Sequence, residues 1–261
     1  MDLDLRGKYA LVGGSSKGLG KASAIELAAL GATVTLVSRG INDLISALRE
    51  LPVPFGQIHD YLLLDYDHPD MVKAAVSAKL VEHPYQILVN NTGGPPGGPI
   101  VAAANEEFIA AFTRHLLVNQ LLVGLLLPGM KESGFGRIIN VISTSVKQPL
   151  PGLGVSNTIR GAVANWAKTL ASETAQWGIT VNNVLPGATN TERLSSIISS
   201  KAEKQQTDIA QINKAMKSEI PMGRFAEPHE FAAAVAFLAS PAAGYITGIN
   251  LPVDGGRTSC L

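Results

Sequence analysis

Cysteine is almost missing from this chain: Cys260 is the only one in 261 residues, one position from the end. An intrachain disulfide is impossible, so a disulfide-stapled secreted scaffold is excluded and a reducing cytosol is the expected setting. Excess charge of either sign is missing too, with Lys plus Arg and Asp plus Glu at 21 each. That balance removes the electrostatic case for a nucleic-acid partner or an anionic membrane surface. The start, Met1-Asp2-Leu3-Asp4, is acidic and lacks the basic-then-apolar layout of a signal peptide. The most apolar run, 116–127, is too short to span a bilayer and contains Asn119, Gln120 and Gly124. It reads as a buried helix. Repeats, low-complexity tracts and linkers are absent, and no metal site is expected. Charged residues make up 16% against 46% hydrophobic, which argues against disorder and for one domain with a sizeable core over 1–261.

Against these absences stands one dense stretch, residues 9–39. An apolar strand over 9–12 runs into Gly13-Gly14-Ser15-Ser16-Lys17-Gly18-Leu19-Gly20. A capped amphipathic helix is expected next, with Leu19, Ala22, Ile25 and Ala29 on one face and Gly31 as its stop. A β-branched strand over 33–37 follows. Strand, glycine turn, helix, strand is an arrangement that holds the phosphates of a dinucleotide. Glycines let the backbone approach, and the helix N-terminus offers free N–H groups and a positive dipole end. Glycines also mark ordinary loops; their place between strand and helix carries the signal.

Strands are expected at 9–12, 33–37, 61–64, 87–89, 137–142, 180–185 and 249–253, and helices at 18–30, 42–51, 69–82, 105–132, 156–177 and 228–239. Alternation of this kind predicts an α/β fold, a doubly wound parallel sheet with helices on both faces. One segment breaks the rhythm. Residues 190–226 are polar and helix-forming, and read either as a cover over the ligand crevice or as a solvated pair of surface helices.

Six motifs then follow one another in order. They are Gly14-x3-Gly18-x-Gly20, Asn90-Asn91-Thr92-Gly93, Asn119 inside a long helix, the strand Gly136-Arg137-Ile138-Ile139-Asn140-Val141-Ile142-Ser143, Pro186-Gly187, and Asp254-Gly255-Gly256. Together they resemble the short-chain dehydrogenase/reductase family, and within it the 3-oxoacyl-carrier-protein reductases most closely, over roughly residues 5–257. The resemblance implies a Rossmann-like sheet of seven strands, a nicotinamide cofactor across the strand ends, and hydride transfer on a carbonyl/alcohol pair. It also implies a homodimer or homotetramer paired through the helices at 105–132 and 156–177.

Members that prefer NAD place an Asp at the end of the second strand. Here that end reads Val37-Ser38-Arg39, a hydroxyl and a guanidinium suited to the 2′-phosphate of NADP, with Lys17 as a second cation. NADP (NADPH) is the expected cofactor. Gly14, Ser16, Gly18, Leu19 and Gly20 would form its phosphate turn. The family match places Asp65 at the adenine amino group, Asn91 and Gly93 beside the adenine ribose, and Pro186, Gly187, Thr189 and Thr191 near the cofactor amide or pyrophosphate. The run Gly94-Pro95-Pro96-Gly97-Gly98-Pro99 departs from the family pattern. It reads as a shaped loop at the active-site mouth or as a rigid connector.

Family enzymes use Asn, Ser, Tyr and Lys. Asn119 and Ser143 match the first two, but the positions due for Tyr and Lys hold Ser156 and Arg160, and no Tyr occurs between Tyr85 and Tyr245. An alkyl hydroxyl is a poor proton donor, and a guanidinium holds charge without exchanging a proton. Arg160 would keep the ribose-binding half of the lysine's role. A general acid contributes roughly 10²–10⁴-fold, whereas enzymatic accelerations begin at about 10⁶, so loss of the phenol need not abolish activity. The expectation is an NADP-dependent oxidoreductase acting on a carbonyl or alcohol, possibly a 3-oxoacyl thioester, with water or substrate as proton source. Its rival is a catalytically silent NADP-binding module, a sensor or partner subunit. His115, one turn before Asn119, and Lys147, in the loop after Ser143, are secondary candidates for the missing acid. The cations of 190–226 are offset by Glu192, Glu203, Asp208 and Glu219 and pick no substrate. Tyr245 is read as structural.

Overall fold

The structure, a computed structural model, describes residues 1–260. Seven parallel strands are joined by helices: β1 (Tyr9–Gly13), α1 (Gly18–Ala29), β2 (Thr33–Ser38), α2 (Ile41–Glu50), β3 (Asp60–Leu63), α3 (Pro69–Lys79) and β4 (Ile87–Asn90) form the first half. The second half runs α4 (Asn105–Phe112), α5 (Val118–Ser133), β5 (Gly136–Val141), α6 (Gly154–Thr174), β6 (Ile179–Pro186), α7 (Glu192–Gln205), α8 (Ile209–Ser218), α9 (Pro228–Ala239) and β7 (Asn250–Val253). The sheet order is β3-β2-β1-β4-β5-β6-β7. The chain winds outward from β1, returns to β4 and winds out the other way. The reversal between β1 and β4 opens a crevice at the C-terminal strand ends.

Alternation along the strands builds two cores. Ala10, Val12, Val34 and Leu36 face one way with Leu27 of α1, Leu44 of α2 and Phe231 of α9. Leu11, Val37, Leu88 and Ile138 face the other way, with Val72 of α3, Leu122 and Leu126 of α5 and Ala167 of α6. The fold expectation therefore holds, with strand and helix ends shifted by one to three residues.

Two helical readings need correction. The buried stripe of α1 is Gly20, Ser23, Ala24, Leu27 and Ala28, not Leu19, Ala22, Ile25 and Ala29. Helix α9 packs beside α1, so the flank of small residues goes inward, while Leu19 and Ile25 sit at the edge of the core. Further on, the expected single helix over 105–132 is broken by a π-helical turn at Thr113–Leu117. By length and composition Asn105–Ser133 could cross a membrane. Leu122, Leu126 and Met130 are instead buried on the sheet.

An amide ladder runs across the C-terminal half of the sheet. Asn90 Nδ2 donates to Asn140 Oδ1 (2.8 Å), Asn140 Nδ2 to Asn183 Oδ1 (2.9 Å), and Asn183 Nδ2 to Asn250 Oδ1 (2.8 Å). The four residues are paired in register on β4, β5, β6 and β7. Each central amide satisfies its neighbours in the buried interior, so its loss orphans a donor and an acceptor. Asn140→Ala is expected to lower the unfolding free energy by about 2–4 kcal/mol. A urea titration reads this as a lower midpoint at unchanged slope; a loss below about 1 kcal/mol would mean the ladder is energetically idle.

Candidate active site

The glycine turn between β1 and α1 has room for backbone only. Gly14 and Gly18 have φ of 54° and 57°. A Cβ on Gly20 would stand 2.3 Å from the Gly14 carbonyl oxygen, and one on Gly14 would stand 2.7 Å from Asn91 Nδ2. Asn91 Nδ2 donates to the Gly13 and Gly14 carbonyls (3.1 and 3.2 Å), so its side chain braces the turn. Ser15, passed over in the sequence reading, is a second brace: Val37 N–H donates to its Oγ at 2.9 Å, and Oγ donates to the Val12 carbonyl at 2.7 Å. No side chain caps α1, contrary to expectation; Lys17 stands extended before it. The first N–H groups of the helix are left to an anion.

The end of β2 meets this turn. Ser16 Oγ and Ser38 Oγ share a hydrogen bond of 2.9 Å. Arg39 Nη1 lies 3.8 Å from Asp65 Oδ2, and Lys17 Nζ lies 3.3 Å from Asp43 and 3.5 Å from Glu192. Asp43 is the main cause that raises the proton affinity of Lys17. A cavity of about 130 Å³ opens here, lined by Gly14, Ser38, Arg39, Asp65 and Gly93. The sequence reading missed five further lining residues, Val37, Leu64, Tyr66, Thr92 and Arg114. Arg114 grips Asp67 through one edge of its guanidinium, Nε donating to Oδ1 and Nη2 to Oδ2. It comes from the π-helical turn, which no periodicity rule anticipates. Positive-φ glycines, an open helix N-terminus and two cations beside the cavity fit an adenine dinucleotide carrying a ribose phosphate.

The expected catalytic residues come from three neighbouring elements. Asn119 is buried in the first turn of α5. Ser143 stands extended after β5, and its Oγ accepts from Ser145 N–H at 3.0 Å. Helix α6 packs on both the π-helical turn and the segment after Ser143, and carries Ser156 and Arg160. Ser156 is half-buried, and its hydroxyl makes no hydrogen bond among the described residues. Arg160 is buried, and its Nη1 donates to the Val141 carbonyl at 2.8 Å. Burial, and then the charge of Arg193, bring its pKa down to about 10, so it stays cationic at neutral pH.

His115 lies 2% exposed at the centre of the π-helical turn. It hydrogen-bonds the Gly93 backbone, while Nε2 finds no partner. Burial first, then the charges of Arg160, Arg114 and Arg193, push its pKa down to about 2. An imidazolium is therefore not available at neutral pH, which removes His115 as the missing acid.

Loops complete the crevice. Gly98 N–H donates to the Gly152 carbonyl (2.7 Å) and Gly154 N–H to the Gly98 carbonyl (3.1 Å), which clamps the glycine–proline run onto the start of α6. The segment over 190–226 is tied at its base, with Asn190 N–H to the Ala226 carbonyl at 2.8 Å and Ala226 N–H to the Ala188 carbonyl at 3.0 Å. Leu194, Ile198, Ile212 and Phe225 give it a small core of its own. Its first turn meets the glycine turn: Thr191, which accepts from Leu194 N–H as the cap of α7, lies 3.6 Å from where a Gly18 Cβ would be. Behind it, a Cβ on Gly187 would stand 2.6 Å from Asp254 Cα, and Thr189 is buried with its Oγ1 donating to the Gly187 carbonyl. Pro186 ends β6. Cys260 Sγ contacts the Lys147 carbonyl at 3.5 Å, laying the C-terminal tail on the loop after Ser143. The Tyr245 ring is fully exposed, so it has no packing role within the chain.

Residues 14–258 match the family described as enoyl-(acyl carrier protein) reductase. The 3-oxoacyl-(acyl-carrier-protein) reductase of Vibrio cholerae is 34% identical over 257 residues, covering 97% of this chain and 98% of that protein. The D-beta-hydroxybutyrate dehydrogenase of Cupriavidus necator is 32% identical over 259 residues, covering 97% and 98%. Among solved structures, L-sorbose reductase from Gluconobacter frateurii, complexed with NADPH and L-sorbose, superposes with a TM-score of 0.93 at 32% identity over the full length of both chains. With its strand order, its braced glycine turn and these likenesses over nearly the whole length, the chain belongs to the short-chain dehydrogenase/reductase family.

Proposed function

We propose that this protein is an NADP-dependent oxidoreductase acting on a carbonyl/alcohol pair, with Ser156 and Arg160 in place of the family's tyrosine and lysine. One observation carries the reading: a glycine turn with no room for a Cβ at Gly14 or Gly20 adjoins a cavity lined by Ser38, Arg39 and Asp65. NADPH complexes among the similar structures support the cofactor, and the acyl-carrier-protein reductases support a 3-oxoacyl thioester as one candidate substrate.

The division of labour follows from the side chains. Gly14, Gly18 and Gly20 admit the diphosphate to the N-terminus of α1. Ser38, Arg39 and Lys17 receive the ribose phosphate, for which the phosphate competes with Asp65, Asp43 and Glu192. When bound, the cofactor supplies the hydride. Ser143 polarises the substrate oxygen, and Asn119 holds water at the back of the site. Arg160 keeps further N–H donors beyond the one on Val141, and these hold the nicotinamide ribose. Neither Ser156 nor neutral His115 delivers a proton readily, so water or the substrate provides it.

NADPH oxidation should be measurable with a panel of ketones and 3-oxoacyl thioesters, and Arg39→Ala should weaken NADPH binding about tenfold or more with little effect on NADH. Calorimetric NADPH binding without turnover on any panel member would reject the enzyme and leave a binding module.

Assembly into a dimer or tetramer is proposed through α4, α5 and α6; Ile109 and Phe112 of α4 and Leu117 of the π-helical turn expose apolar surface. Sedimentation should show no monomer at micromolar concentration, and a sole monomer species would refute the pairing.

Because the folded chain holds His115 below its usual 6.5, the unfolded chain binds the extra proton first and stability falls as pH drops through about 6.5. Relative to His115→Asn, the native protein should lose about 2 kcal/mol between pH 7 and pH 5 in urea titrations. Parallel curves for the two proteins would contradict the burial argument.

A further inference from the structure

The first turn of α7 divides its charges between the two rims of the crevice. Glu192 turns toward Lys17 on the glycine-turn side. Arg193 turns the other way and lies flat on Gly94: an ideal Cβ there would meet Nη2 at 2.8 Å and Cζ and Nη1 at 3.4 Å each. Its charge bears on buried Arg160 and on His115, both on the catalytic side. Arg114, the third guanidinium near His115, is neutralised by Asp67. Arg193 and Arg160 have no carboxylate partner among the described residues. Buried Arg160 has only the Val141 carbonyl to offset its charge, and Arg193 adds a second, exposed cation at the rim. Such a pair is relieved by an anion, and a guanidinium with both edges free matches a carboxylate in two hydrogen bonds.

We propose that the substrate carries a carboxylate, an oxo acid or its hydroxy acid, and that Arg193, seated on Gly94 with Arg160 behind it, is the residue that receives it. This rests on the oxidoreductase reading above and names its substrate class. The cofactor diphosphate is the competing anion, but its cradle lies at Gly18 under Thr191, whereas Arg193 reaches the opposite rim at Gly94. Gly94 is then explained: any side chain there would lift Arg193 from its seat.

The test compares 2-oxobutanoate, 3-oxobutanoate and 4-oxopentanoate with their methyl esters, by calorimetric binding to the protein saturated with NADP and by turnover with NADPH. At least one acid should bind tenfold or more tightly than its ester. Arg193→Gln should erase that preference while changing the ester and NADPH affinities less than twofold, and Gly94→Ala should reduce it. An unchanged melting temperature for Arg193→Gln excludes loss of the fold. Acids that bind no better than esters overturn the proposal. So does an equal weakening of acid, ester and NADPH by Arg193→Gln, which would assign Arg193 to the cofactor or the cover. A preference in binding without any turnover would uphold the carboxylate site and reject the oxidoreductase, so the two failures are distinguishable.

Discussion

The structure depends on the close docking of the glycine turn against the end of β4. Asn91 holds the Gly13 and Gly14 carbonyls from the far side of the reversal point, and no Cβ fits at Gly14 or Gly20. That contact joins the two halves of the sheet where they diverge. It also aims the start of α1 into the crevice with its N–H groups uncapped. Any larger residue would have to push β1 away from β4, and with it the cavity beside Ser38 and Arg39. The constraint is steric and therefore unforgiving.

Polar order supports the same end of the sheet. The asparagine ladder links β4 through β7 just below the positions from which Asn91, Ser143 and Pro186 project. A row of apolar residues would pack as well, but it would not fix the strands in register by paired amides. The site above is then built with fixed charges in low dielectric. Arg160 stays cationic under burial, and His115 stays neutral under burial and three nearby guanidiniums. The family's tyrosine and lysine form an acid that can be regenerated. On the proposed function, Ser156 and Arg160 bind and orient, with little capacity to move protons.

Much of this was legible in the residues. The strand–turn–helix–strand unit was readable because hydrophobic period and glycine placement are local properties. The parallel sheet followed from βα alternation, and Ser156 and Arg160 stood out by their spacing from Ser143. What was not legible involves contacts distant in sequence. The inward face of α1 was misread because α9, some two hundred residues later, decides which flank is covered. The π-helical turn gives no periodic signature, so Arg114 beside the cavity and the burial of His115 went unseen. Ser15 looked like a turn residue, and only β2 makes it a brace.

The sequence by itself determined the architecture, the phosphate-binding turn and the absence of a phenol at the reacting position. These depend on residue identity at short spacing, which local backbone chemistry translates directly. Tertiary structure alone decided which charges meet. Lys17 faces Asp43 and Glu192, while Arg193 rests on Gly94 without a carboxylate, because crossovers and the tied segment over 190–226 bring distant residues together. Electrostatic energy depends on distance and burial, and neither is written in the order of residues.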